Sequence, residues 1–80
     1  MSHAPDRLAS VVTAVLDADP ALVNDDGSPH TLENWDSVAH LQLMAAVESE
    51  FSVSFTMDQI ITFDSIGRIR QTLRQMGAEV

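Results

Sequence analysis

The sequence predicts an all-α fold, a bundle of four helices with a short third helix and a long loop between helices one and two. Apolar residues recur at helical spacing in three segments, and a capping motif marks the start of a further short helix. The alternating stretch from Val53 to Phe55 is short and has no second strand to pair with, so it predicts no sheet. The 80 residues suffice for a single domain, which we assign to 1–80.

The first helix is predicted from about Pro5 to Ala18, where the Asp19-Pro20 pair ends the pattern. Its apolar residues form one stripe: Leu8, Val11, Val12, Val15 and Leu16. The connection that follows, from about Asp19 to Asp36, is longer than the roughly 12–15 residues usual for a loop without structure of its own. We therefore expect four apolar residues to pin it to the core: Leu22, Val23, Leu32 and Trp35.

The second helix is predicted from Ser37 to about Phe51, with Asp36 as its N-cap. Its apolar residues cover more than one stripe of the helix surface. A helix of this kind is either central in the fold or offers part of its apolar surface to a partner.

The last two helices are predicted in the C-terminal third of the chain. Thr56-x-x-Gln59 has the form of a capping box and opens a short helix through Ile60 and Ile61. The final helix is expected to begin at Asp64 or Ser65 and to stop near Gly77. Its apolar residues keep helical spacing: Ile66, Ile69, Leu73 and Met76.

The composition excludes several functional classes. Four arginines and 12 carboxylates give a net charge of −8, which argues against binding to nucleic acid or to anionic membranes. The acidic middle of the chain favours either a basic partner or solubility alone. No cysteine is present, which excludes a disulfide scaffold, a thiolate nucleophile and cysteine-ligated metal. Neither a membrane-length apolar run nor a signal peptide is visible, so we expect a cytoplasmic monomer without stable membrane insertion.

Two patterns suggest chemistry but lack required residues. Leu22 to Glu33 has the spacing of a calcium loop, yet Leu22 at its first position cannot bind the ion, so no metal site is expected. His40 lies three residues after Ser37 and, with Asp36, suggests a serine hydrolase. No glycine-rich elbow surrounds the serine, and the adjacent Asp cannot orient that histidine. We therefore expect no catalytic residue and assign His40 to packing or to the surface.

The Trp35-Asp36-Ser37-Val38 string, at the junction of the loop and the second helix, is the most informative motif. A serine just inside a helix N-terminus lies beside unpaired N–H groups and the positive dipole end, which favour a phosphate on its hydroxyl. Asp-Ser by itself indicates only a helix cap. A second Asp-Ser pair, Asp64-Ser65, has only 15 residues after it and is interpreted as the cap of the last helix.

The segments Glu33 to Leu43 and Glu48 to Phe55 closely resemble the acyl carrier protein family. That family has Asp-Ser-Leu at the start of its second helix, an acidic stretch at its end, and a Phe-x-x-x-hydrophobic step into a short third helix. The resemblance covers nearly the whole chain in element order, spacing and size. It implies the acyl-carrier-protein fold.

The resemblance implies a carrier rather than an enzyme. Ser37 matches the serine that takes a 4′-phosphopantetheine arm from coenzyme A, with Asp36 as part of the same site. A phosphopantetheinyl transferase installs the arm with a magnesium ion, and its thiol then carries an acyl, polyketide or aminoacyl group as a thioester. The implied partners are this transferase, a loading enzyme for acyl or aminoacyl groups, and a downstream synthase or transferase. The alternative is an unmodified acidic adaptor, which binds other proteins through the same fold.

The sequence departs from fatty-acid carriers around the motif. Trp35 stands where those carriers often have Gly, Val38 replaces the Leu, and most acids of the second helix are replaced: Ala39, Gln42 and Ser49. These departures favour another pathway, such as polyketide, aminoacyl or polysaccharide-modification chemistry.

We expect partner docking to use three residues of the second helix: Val38, Met44 and Glu48. In the family, cargo can shelter between the second and third helices. The residues expected to line that cavity here are Leu43, Ile60 and Ile61.

Overall fold

The computed structural model describes residues 6–78, and this part of the chain contains four α-helices and no strand. They are α1 (Arg7–Leu16), α2 (Ser37–Phe51), α3 (Met57–Thr62) and α4 (Ile66–Gln75). The all-α class with four helices is confirmed. None of the helices within 6–78 has the length and apolar character needed to cross a membrane.

The helix starts follow the capping residues. Asp36 Oδ1 accepts the Ala39 N–H at 2.8 Å and begins α2 at Ser37, as predicted. Thr56 and Gln59 form the predicted capping box of α3. The Ser65 Oγ accepts the Arg68 N–H at 3.1 Å, which confirms this serine as the cap of α4. Local side-chain chemistry therefore decides where these three helices begin.

α1 is shorter than predicted. α1 begins at Arg7 with Asp6 as its N-cap, because the Asp6 carboxylate accepts the Ala9 N–H at 3.1 Å; the predicted start at Pro5 lies outside the described residues. The helix ends at Leu16 because Asp17 adopts a left-handed conformation with φ of 49°.

The core is one cluster of apolar side chains from α1, α2, α4 and the connecting segments. Its most deeply buried members are Leu8, Val12, Leu16, Leu43, Met44, Val47, Ile66, Ile69 and Leu73. α3 has no buried residue of its own. It is flanked instead by Phe55 and Phe63, which are buried and meet edge to face with ring centroids 5.0 Å apart. These two rings fix the ends of α3 on the core.

Residues 17–36 connect α1 to α2 and include a 3₁₀ turn at Pro20–Leu22. Val23, Leu32 and Trp35 are buried and hold the connection on the core, as predicted. Leu22 is 51% exposed, so its predicted role as an anchor is wrong. It belongs to the 3₁₀ turn, which leaves its side chain toward solvent.

The same connection also caps α4. Ile66 N–H donates to the Gly27 carbonyl and Gly67 N–H donates to the Asp25 carbonyl, both at 2.9 Å. A Cβ on Gly67 would lie 2.9 Å from the Asp25 carbonyl oxygen, a backbone atom, so this close approach requires glycine.

Arg70 joins three parts of the fold through its guanidinium group. Its Nη1 and Nη2 donate to the Asp6 carboxylate at 3.2 and 2.7 Å, and its Nε donates to Asp25 Oδ1 at 2.8 Å. Arg70 is only 9% exposed, whereas the two carboxylates are more open to solvent. The N-cap of α1, the long connection and α4 are therefore tied together by one side chain.

We expect low pH to weaken the interactions of Arg70 with Asp6 and Asp25. Partial burial raises the pKa of Asp6, but hydrogen bonds from Arg70 and Ala9 and the positive charge of Arg70 outweigh it and lower the pKa below its ordinary value. A carboxyl with a lower pKa in the folded state adds stability above its unfolded pKa of about 3.9, and this is lost as the pH falls through the folded pKa. The free energy of unfolding, measured by urea denaturation, should therefore fall below about pH 4.

Asp6→Asn should reduce this pH dependence, because asparagine keeps a capping oxygen but does not ionise. Asp26→Asn, at an exposed position, is the matched control and should retain the wild-type dependence. If the free energy of unfolding depended on pH equally in Asp6→Asn and in wild-type protein, Asp6 would not be the source of this dependence.

Candidate attachment site and adjoining groove

Ser37 is the first residue of α2, and its side chain is exposed. Asp36 satisfies the N–H groups one turn later, through its carboxylate to Ala39 and its carbonyl to His40, both at 2.8 Å. The N–H groups of Ser37 and Val38 donate to no acceptor within residues 6–78. Free N–H donors at the positive end of a helix dipole favour an anionic group. The residues present therefore fit a phosphate ester on the Ser37 hydroxyl.

An open groove of about 510 Å³ begins at Ser37 and lies between α2 and α3. Most of the lining is apolar or aromatic, and Asp36 supplies a carboxylate at the serine end. The lining residues are Pro29, Trp35, Asp36, Ser37, His40, Leu41, Met57, Ile60, Ile61 and Phe63. An apolar group attached near Ser37 could therefore leave water without entering the core.

Two of the three residues predicted for the cargo cavity lie in this groove. Ile60 and Ile61 line it from α3. Leu43 is fully buried in the core and does not line the groove, so its predicted place there is wrong. Met57 was expected in the core or in the cavity lining, and it lines the groove, whereas sequence reasoning missed Leu41, Pro29 and Phe63. Spacing could have indicated Leu41, which lies one helical turn after Ser37 on the same face.

The predicted docking residues lie in three different environments. Val38 is 66% exposed and is free to contact a partner. Met44 is 2% exposed and packs in the core, so its predicted place on the docking surface is wrong. Glu48 is partly buried, and its Oε2 accepts the Phe55 N–H at 2.7 Å, which anchors the segment leading to α3.

Four exposed apolar side chains belong to this region: three line the groove, and Val38 directly follows Ser37 in the chain. We call them the apolar rim: Val38, Leu41, Met57 and Ile61. Each is at least 60% exposed. Exposed apolar groups gathered at one place are typical of a binding surface. The rim itself carries no charged side chain.

His40 packs beside the site and makes two hydrogen bonds. The Trp35 indole N–H donates to His40 Nδ1 at 2.9 Å, and His40 Nε2 lies 2.8 Å from the Ile60 carbonyl oxygen. Because an indole N–H can only donate, Nδ1 must accept, and the ring hydrogen lies on Nε2. Both ring nitrogens are thus engaged. The imidazole is not available to take a proton from Ser37 in this arrangement.

Neither known protein-family models nor curated proteins match this sequence. The functional interpretation therefore depends on the residues around Ser37.

Among the described side chains, no group of three or more histidines and acids is arranged to hold a metal ion. In the segment that resembles a calcium loop, the Gly27 carbonyl oxygen accepts the Ile66 N–H of α4.

Proposed function

We propose that this protein is a carrier that bears 4′-phosphopantetheine on Ser37, as in the acyl carrier protein family that it resembles. The observation that carries the proposal is the exposed Ser37 side chain at the first residue of α2, with an apolar groove beside it. The order of helices and the long connection before α2 support the same fold. The terminal thiol of the arm would supply thioester chemistry that this chain, without cysteine, cannot supply itself.

The chain's own residues would position the hydroxyl rather than activate it. Asp36 fixes the first turn of α2 and so sets where Ser37 lies. The Ser37 oxygen would bond to the coenzyme A phosphorus that bears the pantetheine arm, while the pyrophosphate P–O bond breaks and adenosine 3′,5′-bisphosphate leaves. The hydroxyl loses its proton in this step, and a serine without a base is a weak nucleophile at neutral pH. Both nitrogens of His40 are already engaged. The base must therefore come from the phosphopantetheinyl transferase.

Partner recognition would use the apolar rim and the charge of the whole chain. Val38 and Leu41 lie on the same helix as Ser37, so an enzyme that reaches the hydroxyl would also contact them. The net charge of −8 would accelerate encounter with a basic enzyme surface. We expect the loading enzyme and the downstream synthase or transferase to meet the same surface.

The cargo is an acyl, polyketide or aminoacyl group held as a thioester. Ile60 and Ile61 would shelter its apolar part in the groove. The uncharged rim fits partner enzymes other than those of fatty-acid synthesis, whose carriers place acids along the second helix.

The proposal is tested by incubating the protein with coenzyme A, magnesium and a transferase of broad specificity. Intact-mass measurement should show the gain of one phosphopantetheine, and peptide mapping should locate it on the segment that contains Ser37. The apolar rim also suits an adaptor that binds partners without modification. An adaptor would gain no mass under any of these conditions, and that result would overturn the proposal.

A further inference from the structure

We propose that the hydrogen bonds from Trp35 to His40 and from His40 to the Ile60 carbonyl form a clasp that sets the position of α3 beside Ser37. His40 is then a positioning residue for the attachment site. The effect on arm loading rests on the proposed carrier function, whereas the effect on the position of α3 does not.

α3 cannot hold itself in place: Phe55 and Phe63 fix its ends on the core, and its body, where Ile60 is partly buried against the core, needs further contacts. Its six residues are too few for a stable isolated helix, and none of them is buried. Of the hydrogen bonds formed within residues 6–78, the one from His40 joins the body of α3 to α2. Its acceptor is the Ile60 carbonyl, in the last turn of α3, which also accepts the Phe63 N–H at the longer distance of 3.4 Å.

The other end of the clasp lies next to the attachment point. Trp35 precedes Ser37 by two residues and is 4% exposed, so its indole N–H requires an acceptor inside the protein. His40 Nδ1 supplies that acceptor, and the two rings stack with centroids 5.9 Å apart. The three walls of the groove, namely the end of the loop, α2 and α3, thus meet at one imidazole.

The clasp depends on the hydrogen-bonding groups of one neutral imidazole, with an acceptor at Nδ1 and a donor at Nε2. A side chain without these two groups could neither accept the Trp35 indole N–H nor donate to the Ile60 carbonyl oxygen. Their removal should therefore release the indole and loosen α3.

Two substitutions separate the hydrogen bonds from the bulk of the ring. His40→Gln retains an acceptor and a donor at the end of its side chain and does not titrate. His40→Phe retains a flat ring without either group. Trp35 is the only tryptophan of the chain, so its fluorescence reports the clasp directly. The exposed His30 provides the matched control, His30→Gln.

At neutral pH, we expect the Trp35 emission of His40→Phe to differ from that of the wild-type protein, because the indole N–H loses its acceptor. The emission of His40→Gln and of His30→Gln should match that of the wild-type protein. At neutral pH, His40→Phe should load its arm about 3- to 10-fold more slowly than wild type, and His40→Gln should restore the rate. Circular dichroism checks that the helices are retained.

The clasp is wrong if folded His40→Phe matches wild type in emission and loading rate, or if folded His40→Gln departs from wild type as far as His40→Phe does. Should His40→Phe lose its helices, Trp35→Phe removes only the indole donor, and an unchanged loading rate in that variant would also show the clasp to be wrong. A wild-type protein that gains no arm would overturn the carrier function, while the fluorescence comparison would continue to test the clasp.

Discussion

A Ser37→Ala variant is expected to gain no arm under conditions that load the wild-type protein completely. Alanine has no hydroxyl to form the phosphate ester, and within residues 6–78 no other hydroxyl belongs to the first residue of an α-helix. The fold should be unchanged, because Asp36 rather than Ser37 caps α2. Intact mass gives the extent of loading, and thermal unfolding checks the fold.

Ser65→Ala is the matched control, because Ser65 also follows an aspartate at the start of a helix. Its hydroxyl oxygen accepts the Arg68 N–H, so the substitution removes a helix cap and should cost about 1 kcal/mol of stability. Loading should remain complete. The assignment of Ser37 fails if Ser37→Ala still gains the arm, or if Ser65→Ala loses it while folded.

Local features of the fold were predictable from sequence. The caps at Asp36, Ser65 and the Thr56–Gln59 box each depend on two residues three positions apart, and such short-range chemistry is legible in a sequence. The position of Ser37 on α2 follows from the same rule. The exposed hydroxyl is therefore the best-predicted part of the site.

Contacts between distant segments were not predictable. His40 and Ile60 are 20 positions apart, and Arg70 and Asp6 are 64 positions apart. Nothing in the residues near His40 indicates which carbonyl α3 will bring to it. The groove could be predicted only in part for the same reason, since its walls come from the loop, α2 and α3.

The sequence also did not show which face of α2 packs against the core. Apolar residues surround most of this helix, so periodicity does not distinguish its core side from its exposed side. Leu41 and Met44 are three positions apart, yet Leu41 is 60% exposed and Met44 is 2% exposed. Only packing against the other elements separates the two residues.

Because of this difference, substitutions at Met44 and Leu41 test which side of α2 belongs to the core and which to the surface. Met44→Ala should lower the free energy of unfolding by about 2–5 kcal/mol, because it removes buried methylene and sulfur contacts and leaves a cavity. A domain of this size has a total stability of about 4–12 kcal/mol. Leu41→Ala, on the exposed rim, should change stability by less than about 0.5 kcal/mol. Urea denaturation of both variants measures these values.

The effects of the two substitutions on arm loading should have the opposite order to their effects on stability. Leu41→Ala removes part of the apolar rim and should raise the KM of the transferase for the carrier, whereas Met44→Ala should load normally at temperatures where it remains folded. Met44, which is buried, affects loading only through the amount of folded protein. Leu41, which is exposed, affects loading only through binding of the transferase. A folded Met44→Ala variant with a raised KM, combined with a Leu41→Ala variant that loads like wild type, would reverse the assignment of core and docking surface on α2.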